Sequence, residues 1–422
     1  MKRFLCIMFC FAILLGLCGC QNTKNDLSSE TVKVIYEEEV EILDDYTSSA
    51  IQSGVSNVTS EVESKPNTNS SENISTNSES ESLGETGWNI YSLNEEQTLK
   101  SIKLNGRCNK TSDGVGLDFA ASAIEFNTDA SAAMVVVNAT EGIYYNIMID
   151  GEFTSERQLT QNGTNYIILA RGLSSGSHNI KLIRDCESRS NLKFELVNLQ
   201  LDSGVLLNKD EDKPIIEFLG DSLTNGYGNL IQKGASNASD LKNQSVTKAY
   251  SYLLASKLNM DYRIVSMSGI ALGKREGYPT FPEFYALESY HLDKEKKYTS
   301  SNPADVDVVV VNLGTNDASD KLYNEKDSQS VENYGKRYAE LITNIGYEKD
   351  VKIVFVSGVS WCHTQTVAYN KAKEELKSLG YNNMYSIDIR SLQSGGGGHP
   401  SAMEHAEVAD TLFKFIKDNN IA

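Results

Sequence analysis

The 422 residues lack a G-x-S-x-G run between a strand and a helix: the one match, Gly172-Leu173-Ser174-Ser175-Gly176, falls in a turn between β-type runs, which removes the usual sequence mark of a serine hydrolase built on a nucleophile elbow. Histidine is scarce, at five residues. No His, Cys and carboxylate residues cluster at ligand spacing, so the sequence asks for no metal and no other cofactor. Lys and Arg number 39 against 57 Asp and Glu. That leaves no basic face to displace counterions, which argues against nucleic acid as a partner. Long apolar runs are also missing. The longest, Phe4–Leu17, falls short of the ~20 residues that span a bilayer, and no long apolar loop suits a lid over a lipid ester.

What is present at the start reads as export. Met1-Lys2-Arg3 is a basic head before Phe4–Leu17, the order of a secretory signal. The run ends in Leu17-Cys18-Gly19-Cys20, which resembles the lipobox of bacterial lipoproteins. That resemblance implies residues 1–19 as a cleaved signal and a lipid on the Cys20 thiol, anchoring an exported protein at the cell surface of a bacterial membrane. Residues 20–87 then form a tether rich in Ser, Asn, Thr and Glu. Residues 21–87 hold 14 acidic and 3 basic side chains, a net −11 of the chain's −18. Such a stretch buries too little to fold and extends by self-repulsion. Cys108, Cys186 and Cys362 lie beyond it. Cys108 and Cys186 fall in one β-rich region and either pair or stay as buried thiols.

Two patterns divide the remainder. Over residues 88–205 short β-type runs recur, among them Ala132–Ala139, Tyr144–Ile149, Asn165–Ala170, Asn179–Ile183 and Leu192–Leu201. Turns such as Asp150-Gly151 and Asn162-Gly163 separate them, predicting an all-β, jelly-roll-like sandwich. Over 213–422 the pattern becomes α/β. Apolar strands at Ile215–Leu219, Tyr262–Met267, Val306–Leu313, Val351–Val356 and Met384–Ile387 alternate with helical stretches at 249–258, 331–345, 367–379 and 401–418. Continuous apolar strands between helices predict a parallel sheet covered on both faces, an α/β/α layer order. Ligands in such sheets sit past the carboxyl ends of the strands.

The candidate residues follow those strand ends. Ser222 comes after Ile215–Leu219 and Gly220, and a serine needs a neighbouring base to attack. His399 is held between Gly398 and Pro400, just before Ser401-Ala402-Met403-Glu404, a capping box that opens the last helix. Gly269 follows one strand and Asn316 another. A backbone N–H without a Cβ and a neutral amide are the donors that an oxyanion requires. With the N–H of Ser222 they make three. Trp361, past Val351–Val356, is either a platform for a sugar ring or core packing. Tyr227, Tyr278 and Phe281 are candidates for the cleft wall.

Ser222, Gly269, Asn316 and His399 match the four blocks of the SGNH (GDSL-type) hydrolases, which the chain resembles from about Pro214 onward. The resemblance implies nucleophile Ser222, base His399 and an oxyanion hole of Ser222, Gly269 and Asn316. The sandwich ahead of this region narrows it to carbohydrate esterase family 2, on Gly220-Asp221-Ser222-Leu223-Thr224-Asn225-Gly226-Tyr227-Gly228, Asp150-Gly151 and Gly176-Ser177-His178. Members are similar in removing acetyl groups from polysaccharides, at O-6 of hexopyranosides and on acetylated xylan, so acetylated poly- or oligosaccharide is the implied partner. One departure stands out. Most relatives carry an aspartate two or three residues before the histidine, and here Gly397 and Gly396 occupy those places. A carbonyl within Ser394–Gly398 is then expected to take the Nδ1 proton, with activity falling below about pH 6.5, the ordinary histidine value. The alternatives are a glycan-binding lipoprotein whose glycine run has disabled catalysis, and an esterase acting on peptidoglycan or another envelope glycan.

Overall fold

The computed structural model describes residues 87–290, 297–298, 302–360 and 362–422. Cys20 and Trp361 lie outside the described residues.

The first part is a sandwich of two antiparallel six-stranded sheets. One centres on Ala132–Ala139, flanked by Gly163–Arg171 and Phe194–Leu201. The other centres on Ala123–Thr128, His178–Arg184 and Tyr144–Ile149. Side chains alternate across a strand, so Val135 and Val137 point inward to meet Phe126, Leu182 and Leu196 in a dry core. Cys108, Cys186 and Cys362 are all free thiols, which decides between the two readings of the Cys108 and Cys186 pair. Ala123–Thr128 is a strand that the turn pattern did not announce.

The second part is a five-stranded parallel sheet. Its order is Asp261–Ser266, Ile215–Gly220, Val306–Asn312, Lys352–Gly358 and Met384–Ile389. Val308 and Val310 enter one apolar layer with Leu254 and Leu412, from helices Tyr250–Leu258 and Ala402–Asp418. Val309 and Val311 enter the other with Tyr338 and Leu376, from helices Ser328–Ile345 and Gln365–Ser378. Burial on both faces is why this strand carries four valines in a row, each contributing about 1.5–3 kcal/mol when fully buried. Among the described residues no helix is long and apolar enough to cross a membrane.

The two parts share a core. Phe119 of the sandwich packs in one layer of the parallel-sheet region, and Ala120, Ala121 and Ile183 in the other. Polar contacts fasten the junction: Lys103 pairs with Asp261 at 2.7 Å, and Asn146 Nδ2 donates to Thr247 Oγ1 at 3.0 Å. The sandwich is therefore a wall of the second part, not a separate bead on the chain.

Candidate active site

In the sheet register Gly220 sits beside Ser266 and Asn312. Neighbouring strands lie about 4.8 Å apart, so the segments leaving these three positions start side by side. Ser222, Gly269 and Asn316 lie on those segments.

The turn after Gly220 leaves no choice of residue there. A Cβ on Gly220 would meet Thr224 Oγ1 at 1.9 Å. Asp221, not Ser222, caps the one-turn helix Ser222–Asn225, its carboxylate accepting from Leu223 N. The turn closes on Gly226 at φ 78°, a conformation that favours glycine. Ser222 is 7% exposed and opens this turn.

His399 arrives from the far end of the sheet. Its Nε2 lies 2.8 Å from Ser222 Oγ, and its Nδ1 lies 3.3 Å from the carbonyl oxygen of Gly397. A carbonyl only accepts, so the neutral ring carries its proton on Nδ1 and turns the Nε2 lone pair to the serine. The Tyr227 ring packs on the imidazole, with centroids 4.7 Å apart. Burial holds the His399 pKa below 6.5, opposed by the Gly397 and Gly396 carbonyls and by the charge of Glu187.

The glycine run is pinned on several sides. Gly396 N donates to Gly228 O at 2.9 Å, Lys233 N to Ser394 O at 2.7 Å, and Gly395 N to His399 O at 2.8 Å. Gly397 at φ 64° and Gly398 at φ 73° adopt the left-handed backbone that other residues resist. A Cβ on Gly396 would press on Ile231 at 2.7 Å. The capping box forms as read, and Glu404 Oε2 also accepts Ser394 N at 2.9 Å. Four glycines in a row are here a braced turn.

Gly269 takes φ 81°, and a Cβ there would lie 2.6 Å from the Tyr278 ring. Its carbonyl accepts from Arg275 Nη1, which leaves the stacking of Arg275 on Tyr278 and its pair with Asp320 as a rim beside the loop. Asn316 Nδ2 donates to Ile270 O at 2.8 Å and reaches Asp221 Oδ2 at 3.3 Å. One amide thus ties the Gly269 loop to the residue before Ser222. Asp317, next in chain, accepts from Leu272 N, Gly273 N and Tyr334 Oη. Burial pushes the Asp221 carboxyl up to about 7, with the charge of Asp317 adding to it.

The structure thus brings Ser222, His399 and Tyr227 into contact and sets Gly269 and Asn316 on adjoining strand ends. Tyr278 lies over Gly269. Phe281 does not line a cleft: it is fully buried and packs with Phe284 and Tyr285, because it starts the capped helix Phe281–Tyr285 with its ring turned to the core. Of the other histidines, His405 is buried, with its pKa pushed down to about 3. His363 pairs with Asp388 at 2.6 Å, and His178 with Asp150 at 2.8 Å. Sequence reasoning missed Glu187, whose carboxylate accepts from Ser268 N at 3.1 Å and Asn225 Nδ2 at 3.2 Å. Nothing in its local sequence marks it, since its partners come from 38 and 81 positions further along.

Residues 104–209 match the family Carbohydrate esterase 2 N-terminal. Residues 216–374 match the family GDSL-like Lipase/Acylhydrolase. The chain joins a CE2 N-terminal domain to a GDSL domain. Among curated proteins it is similar to Cellulase/esterase CelE of Acetivibrio thermocellus, with 25% identity over 75% of this chain and 39% of the relative. It thus spans about two fifths of that protein's length. It is also similar to the acetylxylan esterase / glucomannan deacetylase of Cellvibrio japonicus, 26% identical over 58% of this chain and 70% of the relative. The fold is that of the acetyl xylan esterase Est2A from the rumen bacterium Butyrivibrio proteoclasticus, at a TM-score of 0.69 and 16% identity, covering 79% of this chain and 98% of that one. Ser222, Gly269 and Asn316 lie within the GDSL match, and His399 lies past its end at residue 374.

Proposed function

We propose that this protein is a carboxylic ester hydrolase that removes O-acetyl groups from polysaccharide through Ser222 and His399. The contact that carries the reading is Ser222 Oγ to His399 Nε2 at 2.8 Å, with Nδ1 on the Gly397 carbonyl. His399 takes the hydroxyl proton as Ser222 Oγ bonds to the acetyl carbon. The carbonyl oxygen becomes an oxyanion held by the N–H groups of Ser222 and Gly269 and by Asn316 Nδ2, which gives up its longer contact to Asp221 Oδ2, at 3.3 Å, to do so. Collapse breaks the bond to the sugar oxygen, which leaves with the proton from His399. Water, deprotonated by the same ring, then attacks the acetyl-enzyme, and acetate is released as the bond to Ser222 Oγ breaks and His399 returns the proton to that oxygen.

The charge on the base is neutral at the start and positive in the transition state. A carbonyl supports the imidazolium less than a carboxylate does, since hydrogen bonds between charged groups are about twice as strong as neutral ones. The names of the relatives, acetylxylan esterase and glucomannan deacetylase, support acetylated plant polysaccharide as substrate. The O-6 ester of hexopyranosides is the position that we assign, with Tyr227 and Trp361 as sugar contacts. The basic head, apolar stretch and Cys20 support an exported lipoprotein anchored through a lipid on that thiol.

The test is acetate release from a panel of acetylated glycans. Acetylated xylan and glucomannan should be turned over, with Ser222→Ala inactive yet folded. Undiminished release by Ser222→Ala overturns the mechanism. Binding of every glycan without turnover by the native chain would leave a glycan-binding protein instead.

A further inference from the structure

We propose that Glu187, supplied by the sandwich domain, is a positioning residue of the GDSL site: it locks the nucleophile turn to the oxyanion loop and sets a negative charge by His399. This rests on the reading of Ser222 and His399 as an esterase pair.

Glu187 lies just past strand His178–Arg184 and is 3% exposed. One of its oxygens, Oε2, accepts from two segments of the other domain at once. Ser268 N, at 3.1 Å, precedes Gly269, and Asn225 Nδ2, at 3.2 Å, ends the turn that Ser222 begins. Asn225 Nδ2 also reaches Ser268 Oγ at 3.4 Å. The other oxygen, Oε1, accepts from Arg189 Nε at 3.0 Å and Nη2 at 2.7 Å.

The segment that carries Glu187 is itself fixed. Fully buried Arg184 donates from Nη2 to the Glu187 carbonyl at 3.0 Å. Buried Asp185 accepts Thr247 N at 2.8 Å and Ser245 Oγ at 2.9 Å. A carboxylate held this firmly has little freedom to follow solvent, so the two segments it joins keep one spacing.

The second consequence is electrostatic. The groups that act on His399 are the Gly396 and Gly397 carbonyls, the Tyr227 ring, Ser222, buried His405 and Glu187. Of these Glu187 alone is an anion, with Arg189 paired to it. It favours the imidazolium that forms as Ser222 attacks. The chain lacks the aspartate before His399, and the sandwich supplies a carboxylate from another direction, through space and not through a hydrogen bond to Nδ1.

The experiment compares Glu187→Gln and Arg189→Gln with the native full chain. It measures kcat, KM, the acid limb of kcat/KM on an acetylated xylo-oligosaccharide, and the His399 titration by NMR. Glutamine keeps one acceptor and removes the charge. Glu187→Gln should lose about tenfold or more in kcat, with KM within about twofold and both the acid limb and the His399 titration moved to lower pH. Arg189→Gln leaves the carboxylate unpaired and should move both the other way. Loss of activity with an unmoved His399 titration in both variants overturns the proposal, because a merely structural residue does that. Native kcat and titration in Glu187→Gln overturn it as well. If Glu187→Gln fails to fold, the upward shift in Arg189→Gln remains the deciding result. Should the native chain turn over no acetyl ester, the esterase reading fails, and the NMR titrations still decide whether Glu187 governs His399.

Discussion

His399 Nδ1 meets the carbonyl oxygen of Gly397, two positions earlier in the same turn, at 3.3 Å. The usual partner in this place is a carboxylate that reaches the ring as a side chain. Here the backbone itself turns back on the imidazole, which is possible because Gly397 and Gly398 both take positive φ. The orientation of the base is therefore a property of the turn and of whatever braces it.

Gly228 is one of those braces. A Cβ there would come within 2.7 Å of Gly396 O, and the residue sits at φ 63°. Gly228→Ala should displace the turn that carries His399, lowering kcat by about 10–100-fold while KM changes little. The strained backbone should cost about 1–2 kcal/mol, read from chemical denaturation.

The pair should behave as one unit. Ser222→Ala and His399→Ala should each lower acetate release by about a thousandfold or more, and the double variant should be no worse than either single one. Thermal unfolding should stay within a few degrees of the native chain. Independent, multiplying losses would show that the two side chains do not act together.

Acid inactivation should come late. The base works neutral, and burial lowers its pKa from 6.5. The limb of kcat/KM should therefore lie below pH 6.5, later in acid than an ordinary histidine predicts. A limb above 6.5 would mean that the anion outweighs burial.

Asn316 has a separable role. Asn316→Ala removes the amide that holds Ile270 O and reaches Asp221. The expected loss in kcat is about 10²–10³-fold, the range for one oxyanion donor. Asn316→Asp should be at least as damaging, because it sets a third carboxyl against Asp221 and Asp317.

His405 carries a pH signature of stability away from the chemistry. Its folded pKa, about 3, lies below the unfolded value near 6.5. The unfolded chain therefore binds the extra proton first, and the stability present above pH 6.5 is lost as pH falls toward 3. Compared with His405→Leu, the native chain should lose about 2–3 kcal/mol between pH 7.5 and 4.5, measured by denaturant unfolding. Leucine leaves Tyr250 N without its Nδ1 acceptor, so the variant should be the weaker protein at neutral pH and the gap should close in acid.

Local pattern was enough for the elements that are buried on both faces or cleanly amphipathic. Ala132–Ala139 and Tyr144–Ile149 have the limits that their sequences indicate, and Val306–Asn312 is legible as four valines between two helical layers. The long connections at 227–248 and 270–290 were not legible. A capping box sets Phe281–Tyr285, and the stretch spanning the short turns Leu241–Asn243 and Val246–Lys248 is held by contacts to Asn229 and Asp185, not by a repeating apolar period.

The sequence by itself determined the order of parts, the α/β character of the second one, and which serine, histidine, glycine and asparagine stand past strand ends. Those follow from periodicity and turn chemistry, which act over a few residues. The tertiary structure alone decided that the glycine run is pinned to neighbouring segments, that Gly397 O is the carbonyl facing Nδ1, that Phe281 belongs to the core, and that Glu187 of the sandwich reaches Ser268 and Asn225. The shape of the glycine turn depends on Gly228 and Lys233, far earlier in the chain, and the reach of Glu187 depends on both domains sharing one core, so no local pattern could have encoded them.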